Sequence, residues 1–73
     1  MKEEATIVKL QFPEIKSENI HKLALICAGR LTGKERKKKK GIIRIYKFPC
    51  KIFLIDFLWQ IRQIEEIEIK KVF

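Results

Sequence analysis

The spacing of the apolar residues changes several times within only 73 residues, and each change predicts a different secondary-structure element. Residues 6–12 alternate polar and apolar side chains and stop at Pro13, which predicts a strand. Apolar side chains then recur every three or four positions over residues 20–31, as they do on one face of a helix. Ser17 fits the N-cap of that helix, and Gly33 fits the glycine that follows its last turn.

The middle of the chain predicts a second strand over residues 42–48, which are rich in β-formers and end before Pro49. Residues 35–40 precede this strand and leave two alternatives open. They form either its hairpin partner, with a turn at Lys40-Gly41, or a loop. Five consecutive basic residues repel one another and disfavour an isolated strand, although lysine-rich edge strands are a common protection against edge-to-edge pairing.

The last third predicts a second helix from Cys50 to about Ile64, followed by an ambiguous segment. Only Asp56, Gln60 and Gln63 form a polar line on this helix. One apolar stripe is enough to pack a helix on a sheet, so the wider apolar arc predicts contact with a further apolar surface, that of another chain. Residues 67–73 fit either a final strand, with Ile67, Ile69 and Phe73 on one face, or the end of the helix.

The order of elements predicts an α+β fold in one domain, residues 1–73. Two helices pack on one face of a small antiparallel sheet in the order β-α-β-β-α. A final strand would complete the ferredoxin-like arrangement. With 47% hydrophobic residues the chain has enough apolar side chains for a packed core. The other face of the sheet is then available to a ligand or partner.

The positive charge is concentrated in one part of the chain. Residues 30–51 contain ten basic side chains and a single acid, Glu35, whereas the remaining residues carry seven basic and eight acidic side chains. Such a local excess is typical of a patch that binds a polyanion, here a nucleic acid. The alternative is a solvated loop or a solubility device on an edge strand. The candidate phosphate-binding residues in and beside the basic run are Arg30, Lys34, Arg36, Lys37, Lys38, Lys39 and Lys40.

Arg44, Tyr46 and Phe48 share one face of the strand predicted over residues 42–48, opposite Ile43 and Ile45. Arg44 and Tyr46 on an exposed sheet face would stack on unpaired bases, as in sheet-based RNA readers. In the alternative register, Tyr46 and Phe48 belong to the core and Ile43 is exposed. The sequence leaves both registers open.

Catalytic and metal-binding patterns are missing from the sequence, which predicts that the protein is not an enzyme and carries no metal or cofactor. His21 is the sole histidine and lies on the polar side of the first helix. Cys27 belongs to an apolar stripe and Cys50 follows Pro49, and neither has the spacing of a zinc site. Without a signal peptide or a bilayer-spanning apolar stretch, free thiols predict a cytoplasmic protein with no membrane contact.

The opening strand IVKLQFP, the helix of small and aliphatic residues, the β segment and the closing helix FLIDFLWQIRQIEEI together resemble the small dimerising subunit of the archaeal KEOPS complex, or a paralogue of it. KEOPS places threonylcarbamoyl on the adenosine next to the anticodon of certain tRNAs. The resemblance covers nearly the whole chain through hydrophobic pattern and element order. The hairpin of that family is compressed here, and the polar stretch before its last helix is reduced to Pro49-Cys50.

The resemblance implies a non-catalytic accessory subunit that dimerises, contacts a kinase-like catalytic subunit through its helices and helps to hold tRNA. It implies that Phe53, Phe57 and Ile61 lie near the dimer or catalytic-subunit interface. It also implies that Arg30, Arg36 and residues 37–40 face tRNA. Homodimer and heterodimer both remain open. The alternative functions are a free-standing basic DNA- or RNA-binding protein and a small protein-interaction or inhibitor module.

Overall fold

The computed structural model describes residues 6–73. Its four strands form one antiparallel sheet in the order β2-β3-β1-β4. The predicted α+β class and the β-α-β-β-α order are confirmed, and the last strand is present, which completes the ferredoxin-like arrangement. The elements are β1 (Ile7–Phe12), a 3-10 turn (Glu14–Lys16), α1 (Ser17–Ile26), β2 (Arg30–Lys38), β3 (Gly41–Lys47), α2 (Lys51–Ile61) and β4 (Glu68–Val72).

Helix α1 is shorter than its apolar stripe predicts. It ends in a Schellman motif, in which the amide of Ala28 donates to the Leu25 carbonyl (3.0 Å) and the amide of Gly29 donates to the Ala24 carbonyl (2.6 Å). Ala28 takes the left-handed conformation (φ 62°) that usually falls to glycine. The prediction that Gly33 follows this helix is therefore wrong. Ser17 is the first helical residue rather than the N-cap; the N-cap is Lys16, which makes no side-chain capping bond.

The basic run forms a strand after all, because it is paired on one side by β3. Residues 36–38 of β2 lie opposite residues 41–43 of β3, and Lys39 and Lys40 form the turn. A bulge between Thr32 and Arg36 accommodates Gly33 at φ 67°. Strand β2 is an exposed edge, so its lysines are solvated and discourage pairing with another sheet.

The core lies between the two helices and one face of the sheet. Val8, Leu10 and Phe12 point into it from β1. The ring of Phe57 on α2 packs against two further aromatic rings, with centroid separations of 4.9 Å to Phe48 and 5.8 Å to Tyr46. The register with Tyr46 and Phe48 in the core is therefore the one adopted. The remaining core residues are Ile20, Ala24, Cys27, Ile42, Leu54 and Ile61.

Helix α2 places two of its three predicted interface residues inside this core. Phe57 and Ile61 are buried against the sheet, so they are unavailable to a partner, and their assignment to an interface is corrected. Phe53 lies on the outer side and is exposed. The helix spans Lys51–Ile61, three residues shorter at its C-terminal end than predicted, and Cys50 is its N-cap.

An irregular register in β4 changes which of its side chains share a face. Ile69 lies opposite the buried Leu10, whereas Lys71 lies opposite Lys9 because the register shifts between these pairs. Phe73 and Ile7 exchange two backbone hydrogen bonds, 2.7 and 2.8 Å long, so they are directly opposite each other. Ile69 and Phe73 therefore point to opposite faces, contrary to the alternation expected from the sequence.

Candidate nucleic-acid interface

The sheet face opposite the helices, called the open face below, is covered by no other element of the described chain. Residues directly opposite each other in an antiparallel pair project to the same side, so the registers assign each paired side chain to a face. Because Val8, Leu10 and Phe12 point into the core, their neighbours in β1 point outward. The open face comprises Ile7, Lys9, Gln11, Arg30, Thr32, Arg36, Lys38, Gly41, Ile43, Ile45, Lys47, Glu68, Lys71 and Phe73.

The open face is strongly basic around an aliphatic centre. Its centre consists of Ile7, Ile43 and Ile45, which are partly exposed. Around it lie six cations and, among the described residues of this face, one carboxylate, that of Glu68. The six cations are Lys9, Arg30, Arg36, Lys38, Lys47 and Lys71. A surface with this excess of positive charge attracts phosphate groups.

The predicted basic run is divided between the two faces of β2. Arg36 and Lys38 lie on the open face, where they continue the row begun by Arg30. Lys37 projects to the helix side, and its ammonium group lies 3.3 Å from the Glu14 carboxylate. Three more candidates, Lys34, Lys39 and Lys40, are exposed in the bulge and the turn. The structure therefore brings Arg30, Arg36 and Lys38 together and separates Lys37 from them.

Arg44 and Tyr46 belong to a hydrogen-bonded network on the helix side of the sheet. Arg44 Nη1 donates to the Ser17 carbonyl (3.0 Å) and to the Tyr46 hydroxyl (3.1 Å), and its Nε donates to Glu35. The Tyr46 ring is fully buried, so it cannot stack on a base, and its assignment to the nucleic-acid site is corrected. Arg44 is largely enclosed and already paired with a carboxylate, which makes it a structural cation.

The surroundings of Arg44 and Tyr46 raise the pKa of both. Burial alone lowers the pKa of Arg44, but the hydrogen bonds to Glu35 and Tyr46, together with the charge interactions with the same two groups, outweigh this effect. Burial raises the pKa of Tyr46, and the hydrogen bond and positive charge of Arg44 offset only part of the increase. The Tyr46 hydroxyl accepts from Arg44, and it also shares a hydrogen bond with His21 Nδ1 at 3.1 Å, whose direction depends on the tautomer of the imidazole.

We expect Tyr46→Phe to lower the free energy of unfolding by about 1–2 kcal/mol, because it removes a buried hydroxyl with two partners. The pKa of Tyr46 is raised in the fold, so its contribution to stability is complete below the ordinary tyrosine pKa of about 10 and is lost as pH rises through the folded value. The variant should therefore lose less stability than the wild type between pH 9 and 11. Urea unfolding of both proteins across that range measures the difference; parallel pH profiles would contradict it.

The outer side of α2 presents a second unusual surface, called the apolar patch below: Ile52, Phe53, Ile55 and Trp59. Trp59 is 61% exposed and Ile52 76% exposed, and Asp56 is the polar side chain that borders them in the same groove. The Arg62 guanidinium lies 5.2 Å from the Trp59 ring centroid. A cluster of this size on one helix is typical of a protein-binding surface. It accounts for the wide apolar arc noted in the sequence.

The cysteines and the histidine of residues 6–73 do not assemble a reaction centre. Cys27 Sγ lies 3.6 Å from Asp56 Oδ2, and burial together with the negative charge of that carboxylate raises the pKa of the thiol, which disfavours the reactive thiolate. Cys50 is exposed and unpaired. Within the described range, no group of three or more His, Cys, Asp or Glu is arranged to hold a metal ion. Neither of the described helices has the length and hydropathy needed to cross a membrane.

Four residues of the open face were missed from the sequence: Lys9, Lys47, Lys71 and Phe73. The lysines lie outside the basic run, and only the strand order shows that they meet it across the sheet. Phe73 is 46% exposed, and the Lys71 ammonium lies 5.1 Å from its ring centroid. The alternation of β1 could have identified Lys9, which is flanked by core residues, but the register shift that turns Phe73 outward leaves no signal in the sequence.

Comparisons with protein-family models, with curated proteins and with solved structures give no match to this chain.

Proposed function

We propose that this protein is a non-catalytic, RNA-binding accessory subunit of a tRNA-modifying complex of the KEOPS type. The open face binds the RNA, and the apolar patch on α2 binds a protein partner, for which the resemblance suggests the kinase-like catalytic subunit or a second small subunit. The single observation that supports RNA binding is the distribution of charge on the open face, where six cations from all four strands surround three isoleucines.

The charge of the open face fits a polyanion better than a folded acidic protein. Lysine and arginine side chains on a flat surface neutralise successive phosphates without needing a fixed geometry, and released counterions contribute to the affinity. An acidic protein would have to match the positions of six separate cations. Of the described acids only Glu68 lies on this face, so little intramolecular pairing competes with phosphate.

The apolar patch favours an accessory subunit over a free-standing nucleic-acid-binding protein. A domain of 73 residues has little apolar surface to spare, yet Ile52, Ile55 and Trp59 are mostly exposed. They lie on the helix side, away from the open face, so RNA and a protein partner would bind without competing. An arrangement of this kind suits a subunit that links the two.

Neutralising two cations of the open face with Arg36→Gln and Lys38→Gln should weaken RNA binding and flatten its salt dependence. The slope of log K against log salt concentration is negative, and each lost phosphate contact with a single strand reduces its magnitude by about 0.7. The two substitutions together should therefore reduce the magnitude by about 1.4. Fluorescence anisotropy of a labelled tRNA and of a labelled single-stranded RNA, measured from 50 to 300 mM salt, provides both slopes.

The matched control is Lys22→Gln with Lys51→Gln, which removes the same charge from the exposed surfaces of α1 and α2. It should leave the slope nearly unchanged. Equal effects of the two double variants would mean that net charge, rather than the open face, determines binding, and would contradict the proposal. Co-purification of the tagged protein from its host is the complementary measurement, since a partner outside RNA modification would argue against the accessory role.

A further inference from the structure

We infer that the open face binds RNA as a single strand, with an unpaired base stacked on Phe73 and the neighbouring phosphates held by Lys71 and Lys9. The inference rests on the proposed function and specifies the form of RNA that the face accepts. Its starting point is the position of Phe73, a residue that is 46% exposed on a basic sheet face. Sheet-based readers of single-stranded RNA use exposed aromatic rings for stacking.

The placement of Phe73 follows from the backbone. Its two hydrogen bonds with Ile7 continue the pairing of β1 and β4 beyond Val72, so the ring projects to the same side as Ile7. Without the register shift near Lys70, strict alternation from Ile69 would turn Phe73 toward the helices. The shift therefore brings both Lys71 and Phe73 onto the open face.

The cations around Phe73 are positioned for the backbone of a stacked nucleotide. Lys71 precedes it by two residues on the same strand, and its ammonium group lies over one face of the ring, 5.1 Å from the centroid, so a base would stack on the opposite face. Lys9 lies opposite Lys71 on β1, and Lys47 lies opposite Ile7 on β3. Because neighbouring strands are about 4.8 Å apart, all three ammonium groups are within reach of phosphates that flank one base on Phe73.

The aliphatic centre of the open face also favours unpaired bases. Ile7 on β1 lies directly opposite Phe73 on β4. Ile45 on β3 lies opposite Lys9, the next outward-facing residue of β1 after Ile7. Aliphatic side chains gain little from a phosphate backbone, but they pack against the flat surfaces of exposed bases. A duplex keeps its bases stacked inside and would leave these isoleucines facing charged phosphates.

We expect Phe73→Ala to weaken binding of a 12-nucleotide single-stranded RNA by about 5- to 150-fold, the range that corresponds to loss of one base–aromatic stack. Binding of a blunt RNA duplex of the same length should change less than twofold. The salt slope should stay unchanged, because stacking releases no counterions. Lys71→Gln should instead lower the slope by about 0.7 on the single strand.

Two further variants separate stacking from general damage. Phe73→Trp retains an aromatic ring and should preserve single-strand affinity, whereas Phe73→Leu retains only bulk and should lose most of it. Trp59→Ala removes an exposed aromatic ring from the helix side and should have no effect on either RNA. Circular dichroism of each variant checks that the fold is retained.

The outcomes distinguish this inference from the proposed function. Absence of binding to any RNA by the wild type overturns the proposed function and the inference with it. Wild-type binding that is insensitive to Phe73→Ala, or that is equally tight for the duplex, overturns the inference alone. Loss of single-strand affinity in Phe73→Ala and Phe73→Leu, with recovery in Phe73→Trp, supports it.

Discussion

Replacing Phe57 by Ala should lower the free energy of unfolding by about 3–5 kcal/mol. The Phe57 ring is fully buried and joins the rings of Phe48 and Tyr46 in the centre of the core. Truncation removes its transfer free energy and leaves a cavity between α2 and the sheet. A domain of this length has a total stability of roughly 4–11 kcal/mol at 0.05–0.15 kcal/mol per residue, so the loss removes much of it. Urea or thermal unfolding measures the change.

Trp59→Ala is the matched control, because Trp59 is also aromatic, lies on the same helix two residues later and is mostly exposed. It should change the free energy of unfolding of the isolated chain by less than about 0.5 kcal/mol. The comparison also tests the correction of the interface assignment. If Phe57→Ala left stability intact and abolished only partner binding, the residue would belong to an interface, as the family resemblance implies, and the packing described here would be wrong.

The order and type of the elements could be predicted from the sequence because local patterns determine them. Alternating residues in β1, a helical stripe in α1 and a β-rich run in β3 each bury one face, and the structure retains all three. What the pattern left open was the pairing of the basic run. Its like charges oppose a strand in isolation, and the backbone bonds supplied by β3 overcome that repulsion.

The errors at element ends arose where backbone conformation outweighs side-chain pattern. Leu31 continues the helical stripe of α1 by spacing, yet it lies in β2, because the chain reverses at Ala28 in a left-handed conformation that favours glycine. Gly33 indicated a helix end but serves a bulge in β2 instead. A turn made by an alanine has no recognisable residue signal, so the position of the reversal could not be predicted.

The candidate site was predictable in its charge but not in its geometry. The excess of lysine and arginine in residues 30–51 indicated a polyanion, and Arg30, Arg36 and Lys38 do share the open face. Lys37 is not on the open face, because side chains alternate along a strand and Lys37 projects to the helix side. Tyr46 is not on it either, because its ring is buried in the core. The contributions of β1 and β4 depend on strand order, which arises from pairings distant in the sequence.

The second prediction with a large effect concerns Gly41, the first residue of β3 after the turn that joins it to the basic strand β2. Gly41 has φ 132°, a conformation that residues with a Cβ rarely adopt. A Cβ there would overlap the carbonyl oxygen of Phe12 in β1 and lie 2.8 Å from the Phe12 carbonyl carbon. Both are backbone atoms, so relief requires β1 and β3 to move apart.

Gly41→Ala should therefore cost about 3–5 kcal/mol, combining backbone strain with overpacking. Gly33→Ala is the control: Gly33 also has a left-handed φ, but the space around its Cβ is empty, so only about 1 kcal/mol of conformational strain is expected. Chemical unfolding of both variants gives the comparison. Because the turn fixes the register of β2, the fraction of the Gly41→Ala variant that remains folded should also bind RNA more weakly than the Gly33→Ala variant. Equal stability of the two variants would contradict the close approach of Gly41 to the Phe12 carbonyl. The register that places Arg36 and Lys38 on the open face would then not depend on that contact.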